Sequence, residues 1–293
     1  MVSQYIKLYR PHQYTKNLFV FAPGFFSMRA TEPEVLFASL ITFLSFCLAA
    51  SSVYIFNDCF DRENDKLHPE KCHRPIASGS ITPPVAYSLS LVTAIASILL
   101  SYWVLPATAM VITSYLLINL IYSTHLKHIP VIDVFVIATG FVIRLFAGST
   151  ATSIQLSEWI IVMTFLLALF LALAKRRDDV LIFLETDKKM RNVIDGYNLI
   201  FLDNAMIISA SIVMIAYVMW SITEGLHRGG DFRNLYLTSV FVLLGIFRYL
   251  QITFVEKKSG NPARIVLKDR MLQSAILGWL FCFLFIAHSS IYF

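Results

Sequence analysis

VLFASLITFLSFCLAASSVYIF (35–56) runs without a charge directly into NDCFDRENDKLHPEKCHRPIASGS (57–80), and this junction decides the fold. The first part is long enough to cross a bilayer as a helix. The second opens with Asp58, Asp61 and Asp65 at i, i+3 and i+7. At about 100° per residue their directions fall within roughly 60° of one another, so three carboxylates share one helical face. Glu63 points to the far side. Three such groups repel one another unless a cation sits among them, and hard oxygen ligands suit Mg²⁺, which is usually shared between carboxylates and substrate phosphates. The plainer reading is a solvated, self-pairing charged loop. That reading gives no reason for three acids on one face at a membrane exit, with Lys71, His73 and Arg74 close behind.

The rest of the chain has the composition such a junction requires. The 293 residues are 57% hydrophobic and 15% charged, against about 25% charged in an ordinary soluble domain, and the mean hydropathy is +0.67. An all-α integral membrane protein is expected, with residues 1–293 forming a single transmembrane catalytic domain in the lipid bilayer. The pI near 9.0 does not indicate nucleic acid, because the basic residues lie between apolar runs and no folded basic module carries them. Cys47 and Cys282 lie in apolar runs, and Cys59 and Cys72 in the acidic stretch. A zinc site from Cys59, His68, Cys72 and His73 matches no standard ligand spacing, so these thiols read as packing or incidental groups. The polar start, 1–16, and the absence of a small-x-small site after it do not read as a cleavable signal.

Apolar runs fall at 18–28, 35–56, 84–104, 107–122, 131–150, 159–174, 205–223, 235–254 and 272–293. The first is short for a span and is interrupted by Pro23-Gly24, so its status rests on charge. With nine crossings and the N-terminus inside, 19 of the 24 Lys and Arg face the cytoplasm and three face out, with Arg144 and Arg248 inside runs. That asymmetry is the positive-inside pattern, and it blurs if the first run does not cross. Nine transmembrane helices with the N-terminus cytoplasmic and the C-terminus external are therefore expected. No fixed-period repeat is present, although the charged stretches 57–80 and 175–195 hint at two helical halves.

Several other residues suit a phosphorylated ligand. Lys71 and Arg74 have the reach for phosphate oxygens, Arg in bidentate fashion and Lys as a point charge. Ser78-Gly79-Ser80 offers backbone N–H groups. Tyr122 and Lys127 flank a cytoplasmic turn, where an aromatic and a snorkelling lysine are also ordinary anchors. Asp133, Arg144 and Arg248 are intramembrane charges, which by default line a cavity or path. Lys175-Arg176-Arg177-Asp178-Asp179 ends the sixth run. On a continuing helix Lys175 and Asp179 are positioned to pair. A second charged helix end opposite the aspartates would instead complete a site for a multiply phosphorylated ligand. Glu185, Asp187, Lys188, Lys189 and Arg191 read as its solvated remainder.

NDCFDRENDKLHP followed by RPIASG resembles the N-D-x-x-D-x-x-x-D signature of the UbiA-type intramembrane prenyltransferase superfamily, and YSTHLK its tyrosine–lysine pyrophosphate-binding segment. The resemblance spans nearly the whole chain and implies a nine-helix bundle around a central cavity. Where ordinary members carry a second D-x-x-x-D, this chain has KRRDD. With IDVFVIATGFVIRLFAG and GIFRYL, that makes it similar to the branch called decaprenyl-phosphate phosphoribosyltransferases. The resemblance implies Mg²⁺ on Asp58, Asp61 and Asp65, oriented by Asn57, and transfer of 5-phosphoribosyl from phosphoribosyl pyrophosphate to a polyprenyl phosphate. Lys71, Arg74, Tyr122, Lys127, Arg144, Lys175, Arg176, Arg177, Asp179 and Arg248 would contact substrates. Whether Asp178 or Asp179 binds metal stays open, as do prenyl chain length and homo-oligomer formation. The implied place is a bacterial inner membrane, with the site facing the cytoplasm. The rival within the family moves a prenyl group onto an aromatic acceptor; the rival outside it is a transporter lined by Asp133, Arg144 and Arg248.

Overall fold

The computed structural model describes residues 2–67, 71–186, 192–257, 260 and 262–292, and no strand occurs among them. Its α-helices in chain order are α1 (Val2–Tyr9), α2 (Ala22–Phe26), α3 (Pro33–Phe60), α4 (Arg62–Leu67), α5 (Pro83–Val104), α6 (Pro106–Thr124), α7 (Ile132–Thr152), α8 (Glu158–Thr186), α9 (Leu199–Arg228), α10 (Ser239–Phe254), α11 (Pro262–Lys268) and α12 (Arg270–Tyr292). 3-10 segments at Pro11–Phe21, Lys71–His73, Leu126–His128, Asn192–Gly196 and Gly230–Thr238 link them. Eight stretches among the described residues are long and apolar enough to cross a membrane: α3, α5 to α9, Gly230–Phe254 and α12. The run at 18–28 is not among them, because Pro11–Phe21 is 3-10 and α2 has five residues. The expected turn at His68-Pro69-Glu70, and Asp187, Lys188, Lys189 and Arg191, lie outside the described residues.

Helix starts follow local chemistry. α3, α5 and α6 each carry proline in the first turn, where its missing N–H is not needed and its φ is preset. α9 is capped by Asn198, which accepts from the Phe201 N–H at 2.8 Å, and Asp269 does the same for α12 through Leu272 at 2.9 Å.

The chain forms two compact units, 1–156 and 157–293. In the first, α3 packs on α5 through small residues. Ser52 Oγ donates to the Ser90 carbonyl at 2.8 Å, and Ser90 Oγ to the Ser52 carbonyl at 2.9 Å. Ala86, Ser90, Thr93, Ser97 and Ser101 of α5 are buried while Leu91, Val92, Leu99 and Trp103 are exposed. Small residues inside and large apolar ones outside are the arrangement of a lipid-facing helix, whose packing depends on close backbone approach. The segment Pro11–Phe21 lies against α7 at Gly148, where an added Cβ would sit 2.0 Å from the Val20 carbonyl oxygen. Leu8, Ile55, Cys59, Ile76, Ile81 and Ala86 form an apolar core that ties α1 and the 74–81 loop to the end of α3. In the second unit α8 packs on α9 and α10 on α12, and Trp279 stacks on Phe283 at 5.2 Å.

Candidate functional site

The end of α3 carries the aspartates, and the bend there keeps them together. Asp61 closes the helix with φ −89° and ψ 5°. The hydrogen-bond ladder nevertheless continues, from the Asp61 N–H to the Asn57 carbonyl at 2.9 Å and from the Asp65 N–H to the Asp61 carbonyl at 2.8 Å. The shared face expected from spacing thus survives the passage into α4. Glu63 points away and pairs with Lys66 at 2.8 Å.

Three cations meet the three carboxylates. Arg74 Nη1 donates to Asp58 Oδ1 at 3.0 Å and to Asp65 Oδ2 at 2.7 Å. Lys127 Nζ donates to Asp61 Oδ1 at 2.5 Å, and Asn57 Nδ2 to Asp61 Oδ2 at 3.1 Å. Arg10 Nη2 donates to Asp58 Oδ1 at 2.5 Å. Asp58 and Asp65 are buried, whereas Arg10, Arg74 and Asp61 keep some exposure.

Each cation is aimed by its loop. After Arg74 the chain folds back: Ser78 N–H bonds to the Arg74 carbonyl at 2.8 Å, and Ile81 N–H to the Pro75 carbonyl at 3.0 Å. Ile76 drops into the core, and Gly79 takes φ 78°, a left-handed conformation open to glycine. Lys127 lies on the 3-10 turn Leu126–His128 over the Phe60 ring. Three residues beyond it, Ile132 N–H bonds back to the Pro130 carbonyl at 2.8 Å around Val131, with φ 69° and ψ −49°. This is a γ-turn of the rare strained form, costing about 1–3 kcal/mol for such a residue. Lys71 is half-buried in the turn before Arg74, and Tyr122 is half-buried on α6, five residues before Lys127.

Arg144 sits deeper in the first unit. It is buried, with Nε on Asn17 Oδ1 at 2.9 Å, Nη1 on the Gly140 carbonyl at 2.7 Å and Nη2 on Tyr115 Oη at 3.2 Å. The rings of Phe46, Tyr115 and Phe141 lie about its Cζ at 5.0, 5.0 and 5.3 Å. Its hydrogen-bond acceptors are neutral and the ring faces supply the negative potential.

In the second unit KRRDD is not a loop. α8 continues through it to Thr186, because VLIFLET keeps an apolar stripe and contains neither glycine nor proline. Arg176, fully buried, donates to Asp179 at 2.8 Å. Arg177 donates to Asp203 at 2.6 Å and to the Thr253 carbonyl at 2.9 Å. Lys175 is exposed on the same turn, and Asp178 is covered by the backbone of Gly260. Arg248 is clamped by Asp269 at 2.7 Å and Glu256 at 2.9 Å. That hydrogen bond, helped by the Leu272 N–H, holds the Asp269 carboxyl below its ordinary value.

The donor set suits Mg²⁺ in kind. Among the described residues no three carboxylates, imidazoles or thiolates surround one point, but Asp58 and Asp65 each bring an oxygen to one cationic nitrogen, that of Arg74. Two carboxylates, with water and phosphate completing the shell, are what Mg²⁺ usually takes from a protein. In the zinc alternative His68 lies outside the described residues, and Cys59 is buried in the apolar core.

Spacing missed Arg10. It lies 48 residues from Asp58 and belongs to no motif; its one signal is a cation just before a proline in the polar stretch ahead of the first apolar run.

A model of the UbiA prenyltransferase family matches residues 17–276. The chain is 33% identical over 292 residues to the decaprenyl-phosphate phosphoribosyltransferase of Mycolicibacterium smegmatis, covering 96% of this chain and 91% of that protein. It is 32% identical over 286 residues to the protein of the same name from Corynebacterium glutamicum, covering 94% and 84%. In structure it is similar to a UbiA homologue from Archaeoglobus fulgidus bound to DMAPP and Mg²⁺, with TM-score 0.75 at 19% identity over 97% of this chain and 99% of that one.

Proposed function

Since the chain belongs to the UbiA prenyltransferase family and is a multi-pass membrane transferase, we propose that it moves 5-phosphoribosyl from phosphoribosyl pyrophosphate to a polyprenyl phosphate. One observation carries this reading: at the end of α3 a single guanidinium, that of Arg74, bridges Asp58 and Asp65, with Arg10 also on Asp58 and Lys127 on Asp61. Such a cluster suits a diphosphate accompanied by a divalent cation. The substrate names come from relatives similar over most of the chain.

Asp58 and Asp65, with Asp61 held by Asn57, would hold Mg²⁺ beside the donor diphosphate. Bound there, the ion supplies charge neutralisation for the leaving diphosphate. Arg74 and Lys127 bind phosphate oxygens and restrain the diphosphate as the bond from its oxygen to the anomeric carbon breaks. The electron pair of that bond departs with the diphosphate. A lipid phosphate oxygen forms the new bond from the opposite face, with inversion. A phosphate monoester is already anionic at neutral pH, so the site needs no strong general base. Lys71 is a further phosphate contact and Tyr122 an interfacial anchor. Arg144, Arg176 with Asp179, Arg177 with Asp203, and Arg248 act by positioning helices, in keeping with their present partners.

The whole chain works as one transmembrane catalytic domain in a bacterial inner membrane, with the site on the cytoplasmic side. Nine crossings remain the arrangement that best separates charge.

The test is product formation from purified protein, Mg²⁺, labelled phosphoribosyl pyrophosphate and polyprenyl phosphate. A labelled, pyrophosphate-dependent lipid is expected. Transfer only from a prenyl pyrophosphate to an aromatic acceptor would replace this reading with the other family chemistry.

A further inference from the structure

Arg10 stands between α1 and the segment Pro11–Phe21 with φ 53° and ψ 57°, a left-handed conformation unfavourable for a residue with a Cβ. The chain on both sides of it is fastened. Ser51 Oγ donates to the Tyr9 carbonyl at 2.9 Å, Tyr9 Oη meets Thr93 Oγ1 at 3.3 Å, and Tyr14 Oη meets Ser51 Oγ at 2.9 Å. Farther along, Arg144 holds Asn17. The guanidinium itself is less confined: it lies 5.2 Å from the centre of the Tyr54 ring and keeps 19% side-chain exposure.

Asp58 Oδ1 is oversupplied. It accepts from Arg10 at 2.5 Å and from Arg74 at 3.0 Å, so two guanidinium groups crowd one oxygen. A divalent cation on the same carboxylate adds two positive charges beside two guanidinium groups, and their repulsion favours the departure of one. Arg74 is the worse candidate to leave, since it also holds Asp65 and its loop is pinned by buried Ile76. Among the described residues Arg10 has Asp58 as its one ion-pair partner, and a bound diphosphate would offer it an alternative anion.

We propose that Arg10 is an exchangeable counter-ion of the site: it rests on Asp58 in the ligand-free protein and turns onto phosphate oxygens when Asp58 takes a divalent cation with diphosphate. This deepens the reading of the carboxylate cluster given above and rests on it.

The experiment uses the full chain in detergent or nanodiscs, with Mn²⁺ binding followed by electron paramagnetic resonance, with and without inorganic pyrophosphate. Arg10→Gln should bind Mn²⁺ alone about tenfold more tightly and Mn²⁺–pyrophosphate about tenfold more weakly, the order expected for one charge-assisted contact. Arg10→Lys keeps the competing charge but loses the planar fork. Its Mn²⁺ affinity should match the unsubstituted protein while pyrophosphate binding still falls about threefold, a part of that contact. A merely structural Arg10 would weaken Mn²⁺ binding or leave it unchanged on substitution, and either result in Arg10→Gln overturns the proposal. If that variant does not fold, unchanged pyrophosphate binding in Arg10→Lys overturns it instead. Neither readout uses the phosphoribosyl donor or the lipid. Unsubstituted protein that binds Mn²⁺–pyrophosphate yet forms no phosphoribosyl lipid sinks the substrate assignment alone; protein that does not bind it sinks the site.

Discussion

Both units bring arginine to aspartate near the end of a long helix, and they do it in opposite ways. At the end of α3 the partners come from distant parts of the chain, one oxygen serves two guanidinium groups, and Arg10 and Arg74 keep 19% and 27% side-chain exposure. On α8 Arg176 and Arg177 are buried, and Arg176 pairs with Asp179 where both side chains are largely covered. Shared, partly wet pairs exchange partners at low cost; a buried pair such as Arg176–Asp179 loses several kcal/mol when broken. The proposed function gives chemistry to the first kind of cluster and helix positioning to the second.

The sharpest break in that contrast is Asp58→Asn. The amide keeps the shape and loses the charge that both guanidinium groups and a metal need. Turnover should fall about 10³-fold, equivalent to ~4 kcal/mol of transition-state stabilisation. Labelled-lipid formation measures it, and the unfolding midpoint in detergent should move far less than the rate. A midpoint drop as large as the activity loss would make the two clusters alike.

Arg176→Ala is the converse. It takes the buried guanidinium away from Asp179, at a cost of about 3 kcal/mol, read as a lowered unfolding midpoint. An unchanged midpoint would show that the α8 pairs are as exchangeable as those on α3.

Much of this contrast could be read before any coordinates, and the rest could not for a definable reason. The run 35–56 became α3, and Asp58, Asp61 and Asp65 share a face because a 3.6-residue period is local information. KRRDD read as the end of the sixth run because hydropathy falls there, yet hydropathy records solvent, not backbone. α8 simply carries its charges inward. Arg10 was invisible for the opposite reason: its meeting with Asp58 is a tertiary contact, and no periodicity encodes it. The 3-10 geometry of Pro11–Phe21 was equally hidden, because an apolar run announces length and not rise per residue.

That segment allows a finer test. Gly148→Ala would place a methyl 2.0 Å from the Val20 carbonyl oxygen, which is backbone and cannot swing aside. Overpacking of this kind costs about 2 kcal/mol. It would push Val20 off α7 and shift the segment Pro11–Phe21 that begins beside Arg10. Thermal unfolding should show the cost, and Mn²⁺ binding without pyrophosphate should tighten in the direction expected of Arg10→Gln.

The smallest effect concerns Lys127, the third cation of the α3 cluster. It is aimed by a turn that holds Val131 at φ 69°. A β-branched residue there stores strain of about 1–3 kcal/mol, and glycine removes it while giving back part through its looser unfolded chain. Val131→Gly should therefore stabilise the protein by about 1 kcal/mol. It should also loosen Lys127 on Asp61, raising the KM for the diphosphate donor with little change in kcat. A variant that is more stable but binds its donor less well is the signature of strain kept for position. If stability rises and KM does not move, the turn holds only the start of α7, and Lys127 joins the committed cations of α8 rather than the exchangeable ones of α3.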